Sequence, residues 1–205
     1  PKMRAKLTDL DVYPEIAEFN REFIRLMLDP DAPDTKDLFG MPQQSLQALR
    51  HPDFPVYGSL DQVPCLLVEL APLLSSRADS PASCHDRMRQ QNAAISEEAS
   101  PVWQSDVKVF AAGLLTYIWS VVRRDTAAAR LFLGLRPESI ASLAAMSFIE
   151  IRHLVEQAPR KLLARCTTDP RFWPDLVRVA NSPDSETTAV ARLAALPLLV
   201  ARTLA

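Results

Sequence analysis

The chain has 17 prolines but only four glycines among its 205 residues. Glycine supplies the positive φ angles that tight hairpin turns need, whereas proline is tolerated in the first turn of a helix and stops a helix elsewhere. No Asn-Gly or Asp-Gly pair occurs, and no segment sustains the alternation of apolar and polar residues that marks a half-buried strand. Because Ala, Leu and Arg are also abundant, the sequence predicts an all-α fold of helices that begin at prolines.

Helical periodicity places the two longest predicted helices. Apolar residues recur at three- and four-residue spacing from Ile16 to Met27, which predicts a helix over about 11–28 with its acidic residues in solvent. A broader apolar stripe predicts a helix over about 107–124, with Asp106 as its N-cap. A stripe of this width often forms a dimer interface, so we expect this helix to mediate pairing. The predicted pairing residues are Phe110, Leu114, Ile118, Val121 and Val122.

Shorter helices are predicted around the prolines. One covers 43–49 after Pro42, and another covers about 59–74, where Pro64 interrupts the pattern. A further helix follows the Thr168-Asp169-Pro170 cap, and the last covers about 186–204.

Composition divides the chain into two predicted half-domains. Residues 75–105 are mostly Ser, Asp, Arg, Gln, Glu and Ala, which predicts a polar linker between a first domain over 1–74 and a second over 106–205. Residues 1–106 carry 10 Lys and Arg against 17 Asp and Glu, whereas 107–180 carry 11 against 6. The basic half is expected to meet either an anionic partner or the acidic half of the same chain.

The two halves also resemble each other in sequence. An offset of 94 residues aligns two helix–glycine corner–helix segments, which predicts two copies of one small helical domain, although chance similarity between Leu-rich segments is the alternative. The offset aligns Phe39, Gly40, Met41, Leu46, Leu49, Phe54 and Leu60 with Leu133, Gly134, Leu135, Ile140, Leu143, Phe148 and Leu154.

The second copy carries a helix-turn-helix-like pattern. Ser147 and Glu150 form a Ser-x-x-Glu capping box, and Pro137 opens the helix before it. A recognition helix in this position uses outward donors to read bases, with nearby Lys and Arg on phosphates. Arg123, Arg124, Arg130 and Arg171 are further basic residues of this half. The predicted DNA-binding residues are Arg136, Arg152, His153, Arg160, Lys161 and Arg165.

Two carboxylates weaken this interpretation. Glu150 and Glu156 lie in the same predicted helix and repel phosphate, and the helix is short of the Asn, Gln and Ser side chains that read bases. A solvated basic face is therefore the alternative.

The sequence holds no recognisable catalytic or metal motif. It contains no phosphate-binding loop, HExxH or GxSxG pattern. Among the Cys and His residues that could bind zinc, only Cys84 and His85 are neighbours in sequence. Three widely spaced cysteines fit a reducing compartment. No apolar run approaches the roughly 20 residues of a membrane span. We therefore expect a cytoplasmic protein that is not an enzyme, binds no membrane and has neither metal nor cofactor.

A family resemblance extends the helix-turn-helix hypothesis. The residues that carry it are the run 125–135, then Ile140, Leu143, Ser147 and the run 151–154. They resemble the helical FlhD- and FlhC-like transcriptional activators of bacteria, which include flagellar master regulators and activators of mobile genetic elements. The resemblance covers about residues 107–166, and more faintly 16–70, and implies a fused pair of such domains. FlhC-type proteins carry a zinc site of four cysteines, whereas this chain has three cysteines, so no zinc role is carried over.

These observations favour a transcriptional activator or co-activator whose second domain approaches DNA. Its expected partners are DNA and a protein such as a regulatory subunit or RNA polymerase, and it is expected to form homo- or hetero-oligomers. The alternative is a helical adaptor or antagonist that never touches DNA and acts through protein–protein interaction.

Overall fold

Prolines and capping residues mark the starts of several helices in the fold. The structure is a computed structural model, and it describes residues 14–33, 38–41, 43–50, 63–70, 99–167, 169 and 171–180. This part of the chain is mostly helical, as predicted. Its elements are α1 (Pro14–Leu28), a first 3-10 turn (Leu38–Gly40), α2 (Gln43–Leu49), β1 (Val68–Leu70), α3 (Pro101–Arg124), α4 (Thr126–Leu131), α5 (Pro137–Ala145), α6 (Phe148–Val155), a second 3-10 turn (Ala158–Lys161), β2 (Leu162–Ala164) and α7 (Phe172–Ala180).

Helix α1 buries the predicted apolar stripe. Ile16, Phe23 and Met27 are each at most 3% exposed, whereas Glu15 and Glu18 face solvent. The predicted inward and outward faces of this helix are therefore confirmed. Residues 11–13, which were predicted to begin the helix, lie outside the described residues.

Helix α3 begins earlier than its apolar stripe indicates. Its N-cap is Ser100, whose Oγ accepts a hydrogen bond from the Trp103 backbone N–H at 3.2 Å, and Pro101 occupies the first turn. The prediction of Asp106 as the cap was wrong, because Asp106 lies six residues after Ser100, inside the helix, and pairs with Arg25 at 3.3 Å. Residues 101–105 therefore belong to α3 and not to a polar linker, while 75–98 lie outside the described residues.

The broad stripe of α3 is covered by the chain itself. Phe110 stacks against Phe23 and meets Phe19 edge-on, with ring centroids 6.0 Å apart in both pairs. Further along, α3 contacts α4, α5, α6 and the second 3-10 turn. All five predicted pairing residues are at most 5% exposed, which corrects their assignment as a surface for a second chain. The residues are Phe110, Leu114, Ile118, Val121 and Val122.

Two short strands replace part of a predicted helix. Strands β1 and β2 pair antiparallel, with Val68 opposite Ala164, Glu69 opposite Leu163 and Leu70 opposite Leu162. The helix predicted over about 59–74 is wrong at β1, because Pro64 breaks it and the buried run that follows finds its hydrogen-bond partner elsewhere in the chain. The predicted helix over 186–204 lies outside the described residues.

The described parts of the two predicted halves share one hydrophobic core. Helix α1, the first 3-10 turn, α2 and β1 contribute to it, and so do α3 and the elements that follow. Helix α2 also packs on α7, and the first 3-10 turn packs on β2. Each predicted half therefore completes the packing of the other.

One helix of the described residues, α3, is long and apolar enough to cross a membrane by length and composition. Core helices of soluble proteins pass the same test, and nine residues of α3 are buried in the core described above.

Candidate functional site

A glycine corner leads into the predicted helix-turn-helix segment. Asp125 caps α4 by accepting a hydrogen bond from the Ala128 N–H at 2.9 Å, and Pro137 begins α5. Between these helices Gly134 has a φ of 66°, a left-handed conformation that favours glycine. The predicted corner and the predicted proline start of α5 are both confirmed.

Arg165 lies beneath this corner and not on the surface. The residue is only 7% exposed. Its Nη1 donates hydrogen bonds to the carbonyls of Leu66 and Phe132 at 3.4 and 3.3 Å. The Arg165 carbonyl accepts a hydrogen bond from Trp173 Nε1 at 2.8 Å. Arg165 therefore connects the corner, the segment just before β1, and α7. Its assignment as a DNA-binding residue is wrong because its guanidinium does not face solvent.

The capping box predicted for α6 is confirmed. Ser147 Oγ accepts from the Glu150 N–H at 3.3 Å, and a Glu150 carboxylate oxygen accepts from the Ser147 N–H at 2.7 Å and from its hydroxyl at 2.8 Å. These hydrogen bonds, the backbone one foremost, lower the pKa of Glu150. Glu150 thus keeps its charge but directs its carboxylate oxygens toward Ser147.

Helix α6 presents a mixed apolar and basic surface. Arg152 and His153 are exposed, as predicted, and Ile151 is buried. Phe148 and Ile149 are 60% and 68% exposed, which the sequence analysis missed. A signal was present for Ile149, because residues two positions apart lie about 200° apart around a helix, so that burial of Ile151 turns Ile149 outward.

Trp119 connects this surface to the C-terminal end of α3. Its ring centroid lies 6.2 Å from that of Phe148, and the Arg123 guanidinium carbon lies 4.9 Å from the same centroid. Its Nε1 donates to the Met146 carbonyl at 3.3 Å, just before α6 begins. Arg123 and Arg124 are exposed. We call the exposed side chains of Arg123, Arg124, Phe148, Ile149, Arg152 and His153 the α6 surface.

The remaining predicted DNA-binding residues lie near the ends of neighbouring elements. Arg136 is exposed at the N-cap of α5, and Arg160 is exposed in the second 3-10 turn, directly after α6. Lys161 in the same turn is half-buried.

Neither a metal site nor an exposed thiol lies among the described residues. In that part of the chain no group of three His, Cys, Asp or Glu side chains is placed to hold a metal ion. Cys65 and Cys166 are both buried, and Cys84 lies outside the described ranges. Burial raises the pKa of Cys65 from its ordinary 9.0 to about 12.

We expect Cys65 to resist alkylation in the folded protein. At pH 8 the raised pKa leaves roughly a thousandfold less thiolate, which is the reactive form, and the closed core adds to the protection. Because the folded pKa exceeds the unfolded one, this thiol's contribution to stability is full below pH 9 and is lost as pH rises toward 12. Iodoacetamide labelling followed by mass spectrometry, with and without urea, measures the protection. Labelling of Cys65 at equal rates in both conditions would contradict it.

Comparison of the chain with protein-family models, with characterised proteins and with solved structures found no match. No relative therefore assigns an activity.

Proposed function

We propose that the protein is a DNA-associated transcriptional activator or co-activator that approaches DNA through the α6 surface. The observation that carries this proposal is that two helices in contact both present exposed basic side chains. Arg152 and His153 come from α6, Arg123 and Arg124 come from the end of α3, and Trp119 contacts both Arg123 and Phe148. Clustered arginines on one face supply the phosphate contacts that dominate affinity for DNA.

The surroundings of α6 favour a rigid presentation of this surface. The capping box sets the start of the helix, Ile151 anchors it in the core, and two residues, Met146 and Ser147, join it to α5. In a DNA-binding helix-turn-helix segment the second of two short helices meets the major groove, and this is the role that we propose for α6.

Pairing of the strands supports the proposed relation between the two halves. Beyond Leu60 the alignment continues at an offset of 95, which places β1 on residues 163–165, within one residue of β2. Each half therefore contributes a corresponding short strand, and the two strands pair antiparallel around a central Glu69–Leu163 pair. The aligned Gly40 and Gly134 also share positive φ angles of 71° and 66°.

We infer that one chain contains two related modules packed as a pair, as the resemblance to FlhD- and FlhC-like activators implies. The exposed face of α1 carries Glu15 and Glu18, whereas the α6 surface carries Arg123, Arg124 and Arg152. The first module would then support the second and leave DNA contact to it.

Reversal of one charge on the α6 surface tests the proposal. We expect Arg152→Glu to weaken binding to a random-sequence DNA duplex by about tenfold or more, and to reduce the dependence of log affinity on log salt by about one. Lys108→Glu is the matched control, because Lys108 is an exposed cation near the other end of α3. Fluorescence anisotropy at two salt concentrations measures both effects. The proposal fails if the parent protein does not bind DNA at low salt, or if both variants bind equally.

A second candidate function is a protein-interaction adaptor. The observation that favours it is the exposed acidic face of α1, where Glu15 and Glu18 lie in solvent one turn apart. Such a face suits a basic partner. A partner that copurifies with the parent chain, but not with a Glu15→Lys, Glu18→Lys variant, would support the adaptor.

A further inference from the structure

Two large apolar side chains stand in solvent at the start of α6. Phe148 and Ile149 are 60% and 68% exposed although they adjoin each other and the helix is anchored by Ile151. Trp119 packs beside Phe148, with 6.2 Å between ring centroids, and so supports the phenyl ring from the protein side. Two adjacent exposed apolar side chains beside arginines are a candidate contact for a ligand.

We propose that Phe148 and Ile149 contact the C5-methyl groups of thymines in the major groove, so that the site read by α6 contains A·T pairs. This inference rests on the proposed function. Base edges are met by residues near the N-terminus of a recognition helix. In α6 these positions hold apolar side chains, and the thymine methyl is the apolar group that the major groove presents.

Charge favours DNA over a protein as the occupant of this surface. Arg123 lies over the Trp119 ring that packs beside Phe148, and Arg152 lies one turn after Phe148. The cores of protein–protein interfaces are depleted of charged residues. On DNA the same cations have phosphates to neutralise. The carboxylate of Glu150, the acid nearest to the pair in sequence, accepts hydrogen bonds from Ser147.

Arg152 has a distinct role in this arrangement. It lies one turn after Phe148, so the two side chains are neighbours on the helix surface. When Phe148 contacts a thymine methyl, Arg152 is placed for the adjacent guanine edge or the flanking phosphate.

DNA that lacks the methyl group tests the inference directly. One pool of random-sequence duplexes is enriched by binding to the full chain and then amplified with either thymidine or deoxyuridine triphosphate. Deoxyuridine pairs identically but has no C5-methyl. We expect the deoxyuridine pool to bind about fourfold more weakly for each methyl contacted, as for one buried methylene-sized group.

Matched variants separate the contact from other effects of uracil. The variant Phe148→Ala, Ile149→Ala is expected to bind the two pools equally. The control Val102→Ala, Val109→Ala removes exposed apolar side chains from α3 and is expected to keep the parent's preference. Because Phe148 also contacts Trp119, thermal unfolding of all three proteins checks that each is folded at the temperature of the binding measurement.

The outcomes distinguish this inference from the proposed function. Equal binding of both pools by the parent, with DNA binding retained, overturns the thymine contact and leaves the proposed function intact. Failure of the parent to bind either pool overturns both. If the Phe148→Ala, Ile149→Ala variant keeps the parent's methyl preference but loses a copurifying protein, the surface belongs to a protein partner and the inference is wrong.

Discussion

Gly134→Ala is expected to lower the free energy of unfolding by about 3 kcal/mol or more. A Cβ on Gly134 would overlap the guanidinium of Arg165, whose Nε lies 2.9 Å from its position and whose Nη2 and Cζ lie closer still. The φ of 66° adds strain of roughly 1–2 kcal/mol for a residue with a side chain. Arg165 cannot move aside cheaply, because it would leave the carbonyls of Leu66 and Phe132 and bury an uncompensated charge.

Gly113→Ala is the matched control for this change. Gly113 lies in the middle of α3, and a Cβ there would meet Phe19 at 3.7 Å, an ordinary van der Waals contact. We expect this variant to be about 0.5–1 kcal/mol more stable than the parent, because alanine has the higher helix propensity. Urea unfolding followed by circular dichroism measures both variants.

A double-mutant cycle identifies Arg165 as the cause. Arg165→Ala removes the side chain that the new Cβ would overlap, so the double variant should lose much less stability than the sum of the two single changes. Additive losses would contradict a steric overlap between the new Cβ and the Arg165 side chain. The loss of stability in Gly134→Ala would then come from the backbone conformation alone.

Local chemistry allowed much of the helical fold to be predicted. The Pro137 start, the Ser147 and Glu150 capping box and the bounds of α2 follow from residues within one turn of each feature. Strand β1 could not be predicted in this way. Its buried apolar run fits a helix or a strand equally well, and a partner 94 residues away determines which forms.

Residues of the candidate site could be predicted only where the helical period determines which side chains are exposed. Arg152 and His153 follow from the position of Ile151, whereas Arg165 does not, because its burial depends on Gly134 and on two carbonyls distant from it in sequence. A charged residue in a basic segment carries no local sign of burial. Asn20 did carry one, since it lies four residues after Ile16 on the buried stripe of α1.

Asn20→Ala is expected to lower the free energy of unfolding by about 3 kcal/mol or more. Asn20 is fully buried, and its Nδ2 donates to the carbonyls of Val63 and Cys65 at 3.3 and 2.9 Å. Its Oδ1 accepts from the Leu67 N–H at 2.8 Å. Alanine would leave these three backbone groups in the core without the side chain, and each unsatisfied buried group costs about 1–3 kcal/mol.

Thr116→Ala is the control for Asn20→Ala. Thr116 also bonds a backbone carbonyl, that of Ala112 at 2.8 Å, but it is exposed, so water replaces the lost bond and the expected cost is below about 0.5 kcal/mol. Asn20→Ala should also speed hydrogen exchange at the Arg165 amide, which donates to the Leu67 carbonyl at 2.7 Å. Equal stability of the two variants would contradict a stabilising role for the three hydrogen bonds of the Asn20 side chain. Unchanged exchange at Arg165 would show that α1 and the β1–β2 pair are held together by apolar packing and not by Asn20.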